Sequence, residues 1–186
     1  MWVSGAWKNT ILHLLSKNNP DYKEVISYKT RPLRPWEVDW IDYHYMILED
    51  FSNDIKNGSF LEYAQVYWWK DYYWTKRNDI VYGLWQWHIL MKEIDMQWIQ
   101  QIAQNDNTLY NESLRIFLDL SEEVMIKRIT SRAPISHDDL QRRLQTAINE
   151  RNLAKRYASI IISAEWTIEE VYNEVYNYIK SFLNNK

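Results

Sequence analysis

Apolar and polar residues alternate along this chain with two different periods. "TILHLLSK" at 10–17 places Ile11, Leu12, Leu14 and Leu15 at helical spacing. "EVISY" at 24–28 reads as a short strand, and "EDFSNDIKNGSF" at 49–60 as a helix stopped at Asn57-Gly58. The aromatic runs "FLEYAQVYWW" and "DYYW" are strand-like, and "HILMKEID" at 88–95 and "LRIFLDL" at 114–120 predict apolar strands. "SEEVMIKRITSR" predicts a helix of about three turns. Ser136 and Asp139 then cap a long helix with Leu140, Leu144, Ala147 and Ile148 as its inner stripe. "SIIIS" at 159–163 predicts a short buried strand. Thr167 and Glu170 cap a last helix, with Val171, Val175, Tyr178, Ile179 and Phe182 facing inward. Strands alternating with helices predict an α/β fold with a mainly parallel sheet flanked by helices. "TRPLRPWEVDW" at 30–40 is basic at its start and broken by proline, so it is a loop.

One domain accommodates 186 residues. The formal net charge of −3 gives no general attraction to nucleic acid or to an anionic membrane. The chain has no Cys, which removes disulfide and thiolate chemistry and suits a reducing, cytoplasmic setting. No leader pattern and no long apolar run is present, so neither export nor a membrane span is expected. His13, His44, His88 and His137 show no metal-ligand spacing. One ratio is unusual: Gly is 3 and Trp 11 of 186. Their sum is close to the ordinary share of Gly alone, about 7%.

The chemistry begins at the N-terminus. In the phosphate-loop pattern G-x-x-x-x-G-K-[ST], Trp2 and Trp7 stand at the two Gly slots, Lys8 at the Lys slot and Asn9 at the hydroxyl slot, with Thr10 next. Such a loop presents backbone N–H groups to phosphate, its lysine reaches the transferring group, and a hydroxyl helps hold magnesium. A phosphate loop ordinarily follows a strand, yet only Met1 precedes this one, so the expectation is that the first strand is missing or that the true start lies upstream. Taken alone, a lysine at a helix start is commonplace.

Five further stretches follow in order: "SYKTRPLRPWEVDWIDYHY", "NGSFLEYAQVY", "DYYWT", "KEIDMQW" and "IKRITSR". Together with the N-terminal loop they make the chain, from residue 2 to about residue 180, resemble the guanylate kinase family, P-loop kinases that move a phosphoryl group from ATP to GMP. The resemblance implies a P-loop kinase fold with a core at 1–26, 81–120 and 144–186, an inserted GMP-binding part at 27–80 and a helical lid at 121–143. It implies ATP phosphate binding by Ser4, Gly5, Ala6, Trp7, Lys8, Asn9 and Thr10, and catalytic roles for Lys8, Arg128, Arg132 and Arg143. Arg31, Arg34, Tyr43 and Tyr73 match the residues that hold the GMP phosphate; Ser27, Glu62 and Thr75 match the guanine readers. A guanidinium fork suits phosphate, and a carboxylate at Glu62 can accept from two guanine N–H groups that adenine lacks. Asp95 matches an acidic residue near the GMP ribose; with Glu93 it would face magnesium through water, and Thr10 would contact the ion directly. The implied cofactor is Mg2+ with ATP as co-substrate; the implied partners are GMP and ATP, with no nucleic acid and no membrane, in a monomer or homodimer.

Each residue also has a plainer reading. The arginines suit solvated loop or helix surfaces, the tyrosines a core rim, Glu62 an exposed strand face, and Asp95 a strand end. The chain departs from the family pattern at Asn9, at Ser163 where Asn is frequent, and in the lid, where "SRAPIS" has Pro134 and no Gly. If the tryptophans in the phosphate loop are real, the alternative class is a guanylate-kinase-like module that binds GMP or a phosphorylated protein segment without transfer.

In this register Trp2, Trp7, Trp36, Trp40, Trp69, Trp74, Trp87, Trp98 and Trp166 fall on family Gly or turn positions, while Trp68 and Trp85 do not settle. Glycine is used where φ is positive or backbones approach closely, and Trp supplies neither. The expectation is that the native host reads UGA as glycine and that these positions are Gly in the protein it makes. UGG codons there would rule this out.

Overall fold

The computed structural model describes residues 1, 3, 5–35, 37–65, 71–86, 88–131 and 134–185, with only the backbone of 64, 65 and 97. Trp2, Ser4, Trp36, Trp68, Trp69, Trp87 and Arg132 lie outside the described residues. In chain order the elements are α1 Lys8–Asn18, β1 Tyr22–Glu24, β2 Tyr28–Lys29, β3 His44–Tyr45, α2 Leu48–Lys56, β4 Phe60–Gln65, β5 Tyr72–Lys76, α3 Arg77–Trp85, β6 Ile89–Met91, α4 Met96–Asn105, α5 Asn107–Glu112, β7 Ile116–Asp119, α6 Glu122–Thr130, α7 His137–Tyr157, β8 Ile160–Ser163 and α8 Ile168–Asn184.

The strands form three sheets: β1 beside β6, the order β3-β2-β5-β4, and β7 beside β8. Both two-stranded sheets are parallel, as the alternation of strand and helix predicts. The four-stranded sheet is mixed, with β2 parallel to β3 and antiparallel to β5, and β5 antiparallel to β4. The parallel element of the fold is thus divided, and the largest sheet belongs to the segment between "SYKTR" and "DYYWT".

The chain divides into two compact units. Unit 1 comprises Met1–Asn18, Glu93–Met96 and Glu112–Lys186. Here Val3, Phe117, Met125, Ile162, Ala164 and Val171 are buried and α1 packs on α8; of the predicted stripe Ile11 and Leu15 are buried while Leu12 and Leu14 are half-buried. No strand precedes α1 among the described residues. Its hydrogen bonds are nevertheless made: Val3 N–H donates to the Leu118 carbonyl at 3.1 Å, and Leu118 N–H donates to the Met1 carbonyl at 3.0 Å. The expected missing strand is therefore represented by one extended step along β7.

Side-chain caps start the last three helices of this unit. Ser121 accepts from Val124 N–H and Ser136 from Asp139 N–H. Thr167 and Glu170 complete a capping box. Burial is narrower than the sequence predicts: in α7 it falls on Leu144, Ala147 and Ala154 while Ile148 is exposed, and in α8 on Val171 and Val175 while Tyr178 is exposed. The buried stripe is narrower than the apolar one, so residues at its edge are left to solvent.

Unit 2 comprises Asn19–Lys92 and Gln97–Asn111. Its core is aromatic: Tyr28, Phe51 and Trp74 are buried, with Met46, Phe60 and Tyr72 packed around them. Phe51, the inner residue of α2, lies 4.3 Å from the Tyr72 ring and 4.7 Å from the Trp74 ring between centroids. Burying each such side chain is worth about 2–3 kcal/mol. Gly58 ends the α2 region with φ 63°, as the Asn57-Gly58 stop predicts. The helices α3, α4 and α5 have no counterpart in the sequence reading. In α3 apolar residues at Ile80, Val81, Leu84 and Trp85 bury only Ile80, so no clean stripe marks the helix.

Candidate active site

Unit 1 gathers the N-terminal loop. Gly5 has φ 93°, a conformation that favours glycine, and Trp7 has φ 55°. The Trp7 carbonyl accepts the Ile11 N–H at 2.9 Å, so Trp7 forms the turn that launches α1. Lys8 is the first helical residue, and its ammonium pairs with Glu93. Asn9 and Thr10 lie exposed on the first turn of α1, and Ala6 is buried.

Arg128 reaches this loop from α6. Its Nη1 donates to the Ala164 carbonyl at 2.8 Å and to the Gly5 carbonyl at 3.4 Å, and its Nη2 to the Glu165 carbonyl at 3.4 Å. The guanidinium lies 3.6 Å above the Trp7 ring centroid. Arg128 thus braces the loop backbone directly. Arg143 sits on the exposed side of α7, and Asp95 is exposed in the segment after β6. Glu150 joins the charged group around Lys8: burial, then the nearby charge of Asp95, pushes its carboxyl up to about 8. Among the described residues no three His, Cys, Asp or Glu side chains form a metal cluster.

Unit 2 gathers the second set. Arg31 Nε–H donates to the Tyr73 hydroxyl at 3.1 Å, and the Tyr43 and Tyr73 rings meet edge to face at 6.3 Å. Glu62 and Thr75 are nearly inaccessible, and the Thr75 hydroxyl donates to Glu62 Oε1 across paired strands. The β-register that sets Glu62 opposite Thr75 explains why the two meet although they are distant in sequence. Glu62 is therefore not on a solvent face. Ser27 accepts from Lys92 through its hydroxyl. Arg34 is exposed, and its backbone N–H donates to Glu37 Oε2 at 2.9 Å.

Glu37 was not singled out by motif, yet it organises this loop. It takes both Nη groups of Arg31 and the Tyr45 hydroxyl at 2.7 Å. The only sequence signal is its spacing, three residues after Arg34. The Arg31 guanidinium, then the Tyr45 hydroxyl and the Arg34 N–H, hold the Glu37 carboxyl well below its ordinary 4.5. A depressed carboxyl contributes stability that is complete above the unfolded-state value and is lost as pH falls below it. Glu37→Gln is expected to cost roughly 2 kcal/mol at pH 7, less than the ~3–5 kcal/mol of a fully enclosed pair. The difference from the parent should shrink below about pH 4.5. Urea unfolding at a series of pH values checks both; a pH-independent difference would contradict it.

The lysine at the start of α1 suits a phosphate group, and the buried carboxylate with its arginine and tyrosine neighbours on the mixed sheet suits a base and a phosphate. The family model for guanylate kinase matches residues 3–182. The chain is 32% identical over 164 residues to the guanylate kinase of Pseudomonas fluorescens, covering 88% of this chain and 77% of that one. It is 34% identical over 171 residues to that of Blochmanniella floridana, covering 91% and 79%. The crystal structure of guanylate kinase from Anaplasma phagocytophilum matches with a TM-score of 0.69 at 21% identity, over 97% of this chain and 82% of that one. The chain belongs to the guanylate kinase family.

Proposed function

We propose that this chain transfers the γ-phosphoryl group of ATP to GMP, giving ADP and GDP. The observation that carries this reading beyond family membership is the Glu62 carboxylate, 1% exposed and held by Thr75 in the sheet that also bears Tyr73. A carboxylate fixed in this way suits two N–H donors on one edge of guanine and offers adenine nothing equivalent. Ser27 assists the base, Arg31, Arg34, Tyr43 and Tyr73 take the GMP phosphate, and Asp95 approaches the ribose.

Transfer is direct, without a covalent intermediate: an oxygen of the GMP phosphate attacks the γ-phosphorus and ADP leaves. The chain's contribution is placement and charge. Backbone N–H groups of residues 4–10 hold the ATP phosphates. Lys8 exchanges Glu93 for the transferring group. Arg128 keeps the loop in shape, and Arg132 and Arg143 spread over the charge that develops. Residues 121–143 act as a lid over the triphosphate, 27–80 as the GMP-binding part, and the remainder as the core. Thr10, Asp95 and Glu93 offer the hard oxygen donors that magnesium takes, the carboxylates through water. Bound with the nucleotide, the ion would supply neutralisation of the charge on the transferring phosphate. A cytoplasmic setting fits the absence of Cys, and among the described residues no helix is long and apolar enough to cross a membrane.

The reading is tested by following ADP and GDP formation with GMP, AMP, CMP and UMP as acceptors. GDP formation with at least a hundredfold preference for GMP is expected. Trp7 favours a second reading, because a bulky residue at φ 55° stands in the loop that must receive phosphate and its ring is stacked on Arg128. GMP binding with no GDP produced would select that reading, a binding module without transfer.

A further inference from the structure

Three polar side chains are buried among the described residues: Lys29, Glu62 and Thr75, at 3%, 1% and 1% exposure. Glu62 and Thr75 bind each other. Lys29 lies on β2, directly opposite Tyr73 in the antiparallel register with β5 and opposite Tyr45 in the parallel register with β3. The Lys29 ammonium lies 2.8 Å from the Tyr43 ring centroid and 4.4 Å from that of Tyr73. It therefore occupies the interval between the two tyrosines whose hydroxyls are assigned to the GMP phosphate.

We propose that Lys29 is a substrate-phosphate residue, whose ammonium contacts the phosphate of the incoming nucleoside monophosphate between Tyr43 and Tyr73. The inference rests on the reading of Arg31, Tyr43 and Tyr73 as the acceptor-phosphate site. The second observation in its favour is Glu37. Both Nη groups of Arg31 are engaged by the Glu37 carboxylate, so much of the Arg31 charge is already balanced. Lys29 adds a positive charge at the same face, on a flexible stem with rotatable donors. A dianion reaching a buried cation interacts with it far more strongly than at the surface. A cation lodged against two rings is also held in place before the ligand arrives. A purely structural Lys29 would brace the rings and nothing more, and would affect phosphate-bearing and phosphate-free ligands alike.

The test compares GMP with guanosine by equilibrium dialysis on the parent chain, Lys29→Met and Arg31→Ala. Methionine keeps the apolar stem and removes the charge. In Lys29→Met the dissociation constant for GMP is expected to rise at least tenfold while that for guanosine stays within twofold. Equal weakening of both ligands, or no weakening of either, overturns the proposal. If Arg31→Ala weakens GMP and Lys29→Met does not, the acceptor-site reading stands and the Lys29 assignment falls. If the parent chain binds guanosine and GMP equally, both fall. Should Lys29→Met fail to unfold cooperatively, the parent chain supplies the answer by nitrogen NMR of its lysine ammonium groups. The Lys29 signal, identified by its loss in Lys29→Arg, is expected to move with GMP and not with guanosine; a signal that ignores GMP overturns the proposal.

Discussion

Replacing Lys8 with Met is expected to lower turnover by two to three orders of magnitude while leaving GMP affinity within twofold. The size follows from removing one preorganised charge aimed at a developing negative charge, worth about 10²–10³ in rate. The selectivity follows from placement. Lys8 begins α1 in unit 1, whereas Arg31, Tyr43, Glu62, Tyr73 and Thr75 all lie in unit 2. Stability should change little. The Lys8–Glu93 pair has each side chain about a third exposed, and exposed pairs contribute about 0–1 kcal/mol. Steady-state rates with saturating ATP and GMP, alongside direct GMP binding, check the expectation. Unchanged turnover would remove Lys8 from the reaction.

The second large effect concerns Trp7. Trp7→Gly is expected to lower the KM for ATP at least tenfold and to raise kcat. A non-Gly residue in the left-handed region costs about 1–2 kcal/mol, and the indole engages the Arg128 guanidinium, 3.6 Å from its ring centroid, beside the loop that must receive phosphate. Glycine adopts φ 55° without that penalty. The lost contact with Arg128 subtracts about 0.5–1 kcal/mol, so roughly half of the stability gain remains. Equal ATP kinetics in the two forms would show that the ring is harmless. The decoding expectation has its own check, a peptide mass of the protein from its native host. A fragment lighter by the difference between Trp and Gly at position 7 supports reassignment of UGA; an unshifted mass refutes it.

The described tryptophans do not behave as one class. Trp7 and Trp40, with φ 55° and 66°, are the non-Gly residues in the left-handed region among the described positions. Trp74 is different: it is 0% exposed, lies in a strand, and fills the centre of the unit 2 core. Its indole Nε1 is buried without a hydrogen bond, which costs about 1–3 kcal/mol. Removing so large a buried ring costs about 3–5 kcal/mol. Backbone geometry therefore argues for Gly at 7 and 40 independently of any motif, and packing around Phe51 makes no such argument at 74.

Much of this was legible in the sequence, for local reasons. Caps at Ser121, Ser136 and Thr167 signal helices because the cap and its partner are three residues apart. The partners Glu62 and Thr75 were nameable by motif, but their contact depends on strand register, which no single stretch encodes. Lys29 escaped because a lysine within "SYKTR" reads as solvated charge, and only pairing with β3 and β5 on either side encloses it. Glu37 escaped because a carboxylate in a Pro-rich loop has no periodicity to expose it. The helix α4 escaped because "MQWIQQIAQN" carries many Gln and no capping box, and α5 because it is short, although Asp106 caps it by accepting the Leu109 N–H at 3.0 Å.

The hydrogen bonds that tie Met1 and Val3 to β7 bear on the order of assembly. The Met1 amino group donates to the Ile116 carbonyl across 115 positions of sequence, and Arg128 grips Gly5 across 123. Contacts of such long range carry a loop-closure cost before any reward arrives. On a ribosome, the phosphate loop cannot take its shape until β7 and α6 have emerged, more than a hundred residues later. Unit 2 closes almost entirely on chain already made, so the surface assigned to GMP is expected to exist on the nascent protein before the site assigned to ATP does.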